Sequence, residues 1–311
     1  MNNSTPDNAL SNTCPAVVID SRRISPDDTD EVRAIGLRIA DPAFRFQEGQ
    51  TIGVLVPGPH AFGTKPHHRY YSIANARDKQ ASDEIEIQII VRRCFYIDDI
   101  SGEQFPGIAS NYLCDAKSGD QITLTGPYKS AFNMPKARDS NLLMIGSGTG
   151  IAPFRAFIQH IYSHHHGWDG KVRLFFGDKS GLDLLYMNDV DSDLANYYLE
   201  ETFEAYQSIS NKYVINAGKA LELTLEEYAT EAWSMLQDPK TYVFLAGTRK
   251  ANDALDNILA QFAGSTETWD AMRQKMQVSL RPRERFWDIP VPKIDSAFDS
   301  LFVPRPSRSL A

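Results

Sequence analysis

The chain has 311 residues, a length typical of two domains. It carries 32 Lys and Arg against 40 Asp and Glu, a net charge of −8, which argues against a general nucleic-acid binder because such proteins need excess positive charge. Its three cysteines, Cys14, Cys94 and Cys114, lie far apart and fit neither the spacing of an iron–sulfur cluster nor a disulfide scaffold.

The N-terminal residues are polar and lack the basic and apolar regions of a signal peptide. We expect residues 1–15 to form a mobile arm. The most apolar window, Asn141 to Ile161, contains glycines and Arg155 and is too interrupted to span a bilayer. These features predict a cytoplasmic protein with no membrane-inserted segment.

Between residues 16 and 138 the pattern predicts short strands separated by turns. The clearest strand candidates are Thr51–Val56 and Ile85–Val91. Turn residues punctuate the stretch at Pro57–Pro59, Ser118–Asp120 and Gly126–Pro127. Many short strands with almost no helical periodicity predict a small antiparallel β-barrel.

From residue 139 to residue 290 the pattern changes to strands that alternate with helix-compatible segments. The strand candidates are Leu142–Ile145, Val172–Phe176, Tyr213–Ile215 and Tyr242–Leu245. A helix is predicted over Ala152–His164, and about ten or more helix-compatible residues follow each later strand. Such alternation predicts right-handed crossovers and a parallel sheet. The chain becomes rich in Arg and Pro from Val278, and residues 291–311 are interpreted as a C-terminal extension.

A glycine-rich turn, Gly146-Ser147-Gly148-Thr149-Gly150, follows the first strand of this second half and opens its helix. Glycines there allow the backbone to approach a pyrophosphate, whose charge is stabilised by amides at a helix N-terminus. The spacing is not the full dinucleotide-binding fingerprint, and such a turn is often only a turn.

A second cluster, Arg69-Tyr70-Tyr71-Ser72, lies in the barrel half. Arginine suits a diphosphate, tyrosine offers a flat face for a ring, and serine supplies a hydroxyl. Taken alone, the cluster favours an ordinary strand with an exposed arginine and two half-buried tyrosines.

The order of these segments resembles the plant-type ferredoxin–NADP reductase family. The resemblance covers about residue 50 to about residue 277. It is carried by Arg69–Ala74, Val91–Arg93, Gly107–Asp115, Leu124–Pro127, Gly146–Arg155, Phe175–Gly177 and Leu184–Tyr186. It implies a two-domain β plus α/β protein, in which an antiparallel FAD-binding β-barrel precedes a Rossmann-like, parallel-sheet NAD(P)-binding domain.

The resemblance also implies how FAD is held. Arg69 would contact the FAD pyrophosphate, and Tyr71 would pack on the isoalloxazine, with Tyr70 beside it in the same motif. Ser72 would lie near flavin N5, where the hydride arrives, so Tyr71 and Ser72 are catalytic candidates. Arg93 is counted with the cofactor-binding residues.

Two further segments complete the implied FAD site. Tyr96 resembles the tyrosine that stacks on the adenine. The segment Ile108, Ala109 and Ser110 resembles the phosphate-binding start of a short helix, which fits an amide-rich anion site.

The resemblance assigns the pyridine nucleotide to strand ends in the second half. Gly148, Thr149 and Gly150 would take its phosphates, and Gly177, Asp178 and Gly247 would line the neighbouring strand ends. No metal site is predicted.

The chain departs from the family at the loop for the 2′-phosphate. Where the family has Ser-Arg and Lys-x-Tyr, this chain has Ala217–Glu222. Lys219 is a candidate point charge for the phosphate, without the fork geometry of arginine. Glu222 would accept a ribose hydroxyl or form a solvated pair with Lys219. The loop leaves NADPH and NADH both open, and Ala246 replaces the cysteine that the family places before Gly247.

The C-terminal region allows two registers against the family. One places Trp287 at the position that stacks on the flavin. The other, which we favour, makes Asp288 the acidic catalytic candidate and puts Pro290 at the aromatic position. Residues 291–311 would cover the flavin, dock on a partner or second subunit, or form a disordered tail.

A group of basic residues would form either a positive docking surface or scattered surface charge. The group consists of Lys65, Arg69, Arg92, Arg93, Arg281, Arg283 and Arg285. The expected function is that of a FAD-dependent oxidoreductase between NADP(H) or NAD(H) and a separate iron–sulfur protein or flavodoxin. The alternatives are the reductase component of a multi-component oxygenase or redox system and a flavin relay subunit without turnover.

Overall fold

The computed structural model describes residues 13–59, 66–77, 84–97, 102–130, 132–164, 167–177, 184–207, 225–246, 249–278 and 284–286. Several predicted features lie outside these residues: Lys65, Asp178, Tyr213–Ile215, Ala217–Glu222 with Lys219, Gly247, Arg281, Arg283, Trp287, Asp288 and residues 291–311.

The first half of the described chain is built from antiparallel strands. They are β1 (Thr13–Arg23), β2 (Val32–Ile39), β3 (Thr51–Val56), β4 (His67–Ser72), β5 (Ile85–Arg92), β6 (Phe95–Ile97), β7 (Gln104–Pro106) and β8 (Gln121–Tyr128). Six of them form one sheet in the order β4-β3-β8-β1-β2-β5, and β6 pairs with β7 in a separate ribbon.

The edges of the six-stranded sheet meet just beyond β4. Ile73 forms an isolated antiparallel bridge with Ile89 of β5, and the amide of Ala74 donates to the carbonyl oxygen of Gln88 over 2.7 Å. The sheet is therefore barrel-like rather than a closed barrel, and among the described residues a single bridge joins its two edges directly after the Arg69–Ser72 motif.

Alternating side chains build the barrel core. In β1, Cys14, Ala16 and Val18 are buried while the residues between them are exposed, the period expected of a strand with one face on a core. Helix α1 (Ile108–Asp115) covers this core with Leu113 and Cys114. Because β1 begins at Thr13, residues 13–15 belong to the sheet rather than to the predicted N-terminal arm.

The second half contains one parallel sheet in the order β11-β10-β9-β12-β13. Its strands are β9 (Asn141–Gly146), β10 (Val172–Phe176), β11 (Phe203–Gln207), β12 (Thr241–Ala246) and β13 (Glu284–Phe286). The helices are α2 (Ile151–Gln159), α3 (Ala229–Gln237), α4 (Arg249–Phe262) and α5 (Thr266–Val278). The strand order reverses between β9 and β12, and ligands of such sheets bind at the carboxyl ends of the strands there.

The structure corrects four details of the predicted elements. The edge strand β11 was not predicted, and no α-helix lies between β10 and β11 in the described residues 184–202, where a 3₁₀ turn spans Asp193–Tyr197. A second unpredicted strand, β13, lies in the Arg-rich segment. Gly126–Pro127 lies inside β8, because Gly126 takes φ +99° and the strand continues through it. The predicted helix over Ala152–His164 is α2 followed by a π-helical turn at His160–His164.

The two halves share a core. Ile24, Ala34 and Ile90 of the barrel pack in one buried cluster with Phe154 and Phe157 of α2. The helix that follows the glycine-rich turn is thus buried against the barrel as well as against its own sheet. Among the described helices, none is long and apolar enough to cross a membrane.

Candidate cofactor and nucleotide site

Strand β4 places the Arg69–Ser72 motif at the edge of the barrel sheet. Tyr71 pairs with Ile52 and Arg69 pairs with Val54, so both share a face with core residues of β3. Burial raises the pKa of the Tyr71 phenol well above its usual value, although the nearby Arg69 guanidinium acts in the opposite direction. Tyr71 is therefore a neutral, half-covered ring beside a cation, which suits a ring-and-phosphate ligand.

Successive residues within a strand face opposite sides, so Tyr70 lies on the face of β4 opposite Tyr71. The Tyr70 ring is 44% exposed and meets Tyr128 edge-on at 5.0 Å and His68 at 4.6 Å. His68 in turn hydrogen-bonds Thr125 Oγ1 over 2.8 Å. This cluster was not predicted from the sequence. Tyr128 and Thr125 of β8 meet Tyr70 and His68 of β4 only because both strands pair with β3.

The position of the His68 ring requires a glycine at residue 53 of the neighbouring strand β3. A Cβ on Gly53 would lie 2.1 Å from His68 Nε2 and 2.3 Å from Thr125 Oγ1. Burial lowers the pKa of the His68 imidazole, which favours the neutral ring. Gly53 thus leaves room for a neutral histidine across β3, and we interpret His68 as part of the wall beside Tyr70.

Helix α1 offers backbone amides to an anion. Its N-cap is Gly107, which supplies no side-chain cap, so the first-turn amides of Ile108, Ala109 and Ser110 point outward as at any helix N-terminus. Ser110 Oγ accepts a hydrogen bond from the Cys94 amide over 3.1 Å and donates to the Gly107 carbonyl over 3.3 Å. Tyr71 packs against the barrel cluster that contains Ala109, Leu113 and Cys114 of this helix, so the helix lies close to Tyr71.

Arg93 holds helix α1 in place. Its Nε donates to Glu31 over 2.6 Å, Nη1 to Asn111 over 2.9 Å and Nη2 to Asp115 over 2.8 Å. Its pKa is raised, chiefly through the hydrogen bond to Glu31. All three nitrogens of the Arg93 guanidinium are engaged in holding helix α1, and its cofactor contact stays a prediction.

Tyr96 lies on the β6–β7 ribbon, opposite Phe105. Its ring is 41% exposed, and its neighbours Phe95 and Ile97 are also exposed. A flat exposed ring shortly before helix α1 agrees with the stacking role that the resemblance implies.

The glycine-rich turn packs tightly at the carboxyl end of β9. A Cβ on Gly150 would lie 2.4 Å from the Ala246 carbonyl oxygen, and one on Gly146 would lie 2.8 Å from the Phe154 ring. Gly148 has φ +54°, in the left-handed region that favours glycine. Each glycine therefore has a steric reason, and Thr149 lies half-buried within the turn.

Three strand ends meet around this turn. The Ser147 amide donates to the Ala246 carbonyl over 3.0 Å, and the Gly177 amide donates to the Gly146 carbonyl over 3.2 Å. The ends of β9, β10 and β12 are thus fixed side by side at the point where the strand order reverses. This is the expected place for a nucleotide in such a sheet.

The Arg69–Ser72 motif and the glycine-rich turn are joined by a buried arginine that has no predicted role. Arg155 of α2 donates from Nη1 to the Ala74 carbonyl over 2.8 Å and from Nε to Asp193 Oδ2 over 2.7 Å. Its guanidinium lies 4.6 Å from the centre of the Tyr186 ring. The Arg155 side chain therefore links the end of the barrel motif to the nucleotide half.

Tyr186 is the one non-glycine residue with positive φ in the described part of the chain, at +63°. This conformation costs about 1–2 kcal/mol for a residue with a Cβ. The ring is fully buried, and its hydroxyl donates to Gln88 Oε1 of β5 over 3.1 Å. Packing between the two halves thus holds Tyr186 in an otherwise unfavourable conformation.

The proposed basic surface is largely neutralised where it is described. Arg92 pairs with Asp30, and Arg93 pairs with Glu31 and Asp115. Asp30, Glu31 and Asp115 offset the two arginines, which favours scattered surface charge over a positive docking patch in this part of the chain.

Comparison with known families identifies the second half. The model of the family "Oxidoreductase NAD-binding domain" matches residues 144–257. These residues include the glycine-rich turn, β10 and β12, the elements that meet at the reversal of strand order.

Curated relatives extend the match over most of the chain. The cyanelle ferredoxin–NADP reductase of Cyanophora paradoxa is 32% identical over 252 residues, which are 78% of this chain and 67% of the relative. The chloroplastic ferredoxin–NADP reductase, leaf isozyme 1, of Arabidopsis thaliana is 31% identical over 252 residues, which are 79% of this chain and 68% of the relative. The chain spans 58% of a relative from Synechocystis and 65% of one from Picosynechococcus. The cytoplasmic location stays a prediction, since some relatives are chloroplastic.

Solved structures share the fold. A ferredoxin–NADP⁺ reductase from Plasmodium falciparum superimposes with a TM-score of 0.65 at 18% identity, covering 85% of this chain and 95% of that one. The same protein with 2′P-AMP gives a TM-score of 0.67 at 17% identity, covering 90% of this chain and 97% of that one.

Proposed function

The chain belongs to the ferredoxin–NADP reductase family, and on that premise we propose that it is a FAD-dependent oxidoreductase acting between NADP(H) and ferredoxin. The observation that carries the proposal is the direct link between two sites of different kinds. The barrel presents a tyrosine, an arginine and a helix N-terminus, and the helix that follows the glycine-rich turn bonds through Arg155 to Ala74, two residues beyond the barrel motif.

The barrel residues fit FAD. Arg69 and the first-turn amides of α1 at Ile108, Ala109 and Ser110 would hold its phosphates. Tyr71 would cover the isoalloxazine, and Tyr96 would stack on the adenine. The glycine N-cap supports this role, since a Cβ there would lie 2.9 Å from Ser110 Oγ and crowd the helix start.

The strand ends of the parallel sheet fit a pyridine nucleotide. The glycine-rich turn would bind the nucleotide phosphates through backbone amides, with Gly148, Thr149 and Gly150 in closest approach. Gly177 and Ala246 flank the turn and would border the nicotinamide side. Lys219, Asp178, Gly247 and Asp288 stay predictions, because they lie outside the described residues.

Bound FAD would supply the conversion between two-electron and one-electron chemistry. The chain's own residues would position the flavin and nicotinamide rings against each other. Ser72 lies at the end of β4, next to the closing bridge of the barrel, and we propose that its hydroxyl faces the flavin edge that receives the hydride.

The antiparallel and parallel strands form separate sheets in the two halves of the chain. This supports two domains, residues 16–138 for FAD and residues 139–290 for the nucleotide. Ferredoxin is the proposed partner because the relatives are named for it. Arg92 and Arg93 are already paired with carboxylates and offer little net positive charge to an acidic carrier. We therefore place the docking surface elsewhere on the flavin edge.

A coupled assay tests the proposed activity. Purified protein carrying FAD is mixed with NADPH and cytochrome c, with and without added ferredoxin. We expect fast cytochrome reduction that requires ferredoxin. Reduction of the flavin without transfer to ferredoxin or flavodoxin would favour the reductase component of a multi-component system. Failure of NADPH and NADH to reduce the flavin would contradict the proposal.

A further inference from the structure

We propose that Arg155 is a positioning residue that fixes the flavin strand of the barrel against helix α2. Through this contact Arg155 would set the separation of the two rings in hydride transfer. The inference rests on the proposed function for its kinetic consequence. Its structural part, the fixing of the segment after β4, stands on the contacts of the chain alone.

Arg155 is buried although it carries a full charge. It is 8% exposed, and a buried charge is tolerated only when it is paired and hydrogen-bonded. The carboxylate of Asp193, the carbonyl of Ala74 and the face of Tyr186 surround the guanidinium. Asp193 and Tyr186 belong to the nucleotide half, and Ala74 belongs to the barrel.

The geometry requires arginine rather than any cation. The guanidinium is planar, and its Nε and Nη1 donate in fixed directions to Asp193 and Ala74. A lysine ammonium is a single point at the end of a flexible chain. It would pair with Asp193 without keeping the planar stack on Tyr186 and the bond to the Ala74 carbonyl together.

A second contact from α2 holds the same barrel segment, since Gln159 Oε1 accepts the amide of Ala76 over 3.2 Å. Glu48 of the barrel half accepts the amide of Arg77 over 2.9 Å and pairs with His160 Nδ1, in the turn after α2, over 3.0 Å. The segment is thus held to α2 directly at Ala74 and Ala76, and at Arg77 through Glu48.

This segment lies between the two functional parts. Ala74 is two residues beyond Ser72, and Arg155 is five residues beyond Gly150. Residues 73–77 are fixed on one side by the barrel bridge at Ile73 and on the other by Arg155. A displacement at Arg155 is thus transmitted to the strand that carries Tyr71 and Ser72, and a shift of about 1 Å at a reacting pair lowers rates up to about a hundredfold.

The test compares the wild type with Arg155→Lys in two measurements. Stopped-flow mixing with NADPH gives the limiting rate of flavin reduction and the NADPH dissociation constant separately. We expect the limiting rate to fall about tenfold to a hundredfold with an unchanged dissociation constant. In the apoprotein, amide hydrogen exchange of residues 74–77 should become faster in the variant, while exchange in β1 and β2 stays as in the wild type.

Arg38→Lys is the matched control, since Arg38 pairs with Glu84 and Glu86 on the barrel surface. It should leave both measurements unchanged. If Arg155→Lys does not accumulate as folded protein, Asp193→Ala removes the partner from the opposite side and should give the same pair of changes.

The outcomes separate the two claims. A limiting rate equal to that of the wild type, or unchanged exchange in residues 74–77, overturns the positioning role. A wild type that NADPH does not reduce overturns the proposed function, and the exchange comparison then still decides whether Arg155 holds the segment.

Discussion

Arg155 Nη1 donates a hydrogen bond to the carbonyl oxygen of Ala74 over 2.8 Å, joining the helix of the glycine-rich turn to the chain beyond Ser72. The bond spans 81 positions of sequence and connects the two halves of the molecule. The position of the flavin motif relative to the nucleotide turn therefore depends on the contacts of a few side chains.

Replacing Gly150 with alanine should weaken nucleotide binding and leave FAD in place. The new Cβ would lie 2.4 Å from the Ala246 carbonyl oxygen, so the turn must shift away from β12. We expect the NADPH dissociation constant to rise at least about tenfold, or about 1.4 kcal/mol, as measured by titration of the holoprotein.

Gly170→Ala is the control for this steric change. Its Cβ would lie 2.1 Å from the Ser140 carbonyl oxygen, at the amino ends of β9 and β10. It should lower stability without altering NADPH affinity. Equal effects of the two variants on NADPH affinity would show that Gly150 has no special place in the nucleotide site.

Ser110→Ala should loosen FAD. The hydroxyl accepts the Cys94 amide and donates to the Gly107 carbonyl, so its loss leaves the start of α1 less well fixed. We expect the FAD dissociation constant of the apoprotein to rise about tenfold, measured by flavin fluorescence. Ser163→Ala is the control. It removes a hydroxyl that contacts Tyr197 within the nucleotide half, far from α1 in sequence, and it should bind FAD like the wild type. FAD affinity in Ser110→Ala equal to that of the control would contradict the assignment.

Glu48 should make stability depend on acid pH. Burial alone would raise the pKa of Glu48, but hydrogen bonds from His160 and the Arg77 amide hold it below the ordinary value of 4.5. A carboxyl with a lowered pKa stabilises the fold above its unfolded pKa, and this stability is lost as pH falls through the folded value. Denaturant unfolding should therefore show Glu48→Gln less stable than the wild type at neutral pH, with the gap closing below about pH 4.5.

The control for this pH dependence is Glu84→Gln, which removes an exposed partner of Arg38. Surface pairs contribute little, so its unfolding curve should stay close to that of the wild type at neutral pH. A gap between Glu48→Gln and the wild type that is constant with pH would rule out the linkage.

The three cysteines should differ in reactivity. Burial raises the pKa of the Cys114 thiol to about 12 and also raises that of Cys14, whereas Cys94 is exposed beside the start of α1. The thiolate is the nucleophile, so iodoacetamide at neutral pH should label Cys94 alone in folded apoprotein, as read by mass spectrometry. Bound FAD should slow this labelling, and Cys94→Ser should abolish it. Rapid labelling of Cys114 in the folded protein would be contrary evidence.

Local patterns were sufficient to predict the elements that carry the motifs. The strands β3 and β10 have the predicted bounds, because each is a short, mostly apolar run between turn residues. The glycine-rich turn was also predictable, since its three closely spaced glycines follow a strand and precede a helix. The antiparallel barrel and the parallel sheet followed from the spacing of such runs.

The rest depends on contacts between distant parts of the chain. Strand β11 is an edge strand of the described sheet in which Phe203 alone is fully buried, so it lacks the continuous apolar run typical of buried parallel strands. The ion pairs of Arg93 with Glu31 and Asp115 were not predictable from local sequence, because the fold brings these residues together. Nothing near Arg155 in sequence indicates that its partners are Ala74 and Asp193.

The most direct test of the account is an anaerobic titration of the FAD-loaded protein, first with NADPH and separately with NADH, while flavin absorbance is followed. We predict rapid and complete bleaching by NADPH. Faster bleaching by NADH would indicate an NADH-fed reductase and a different nucleotide preference. Bleaching by dithionite but by neither nucleotide would contradict the central claim and favour a flavin relay subunit.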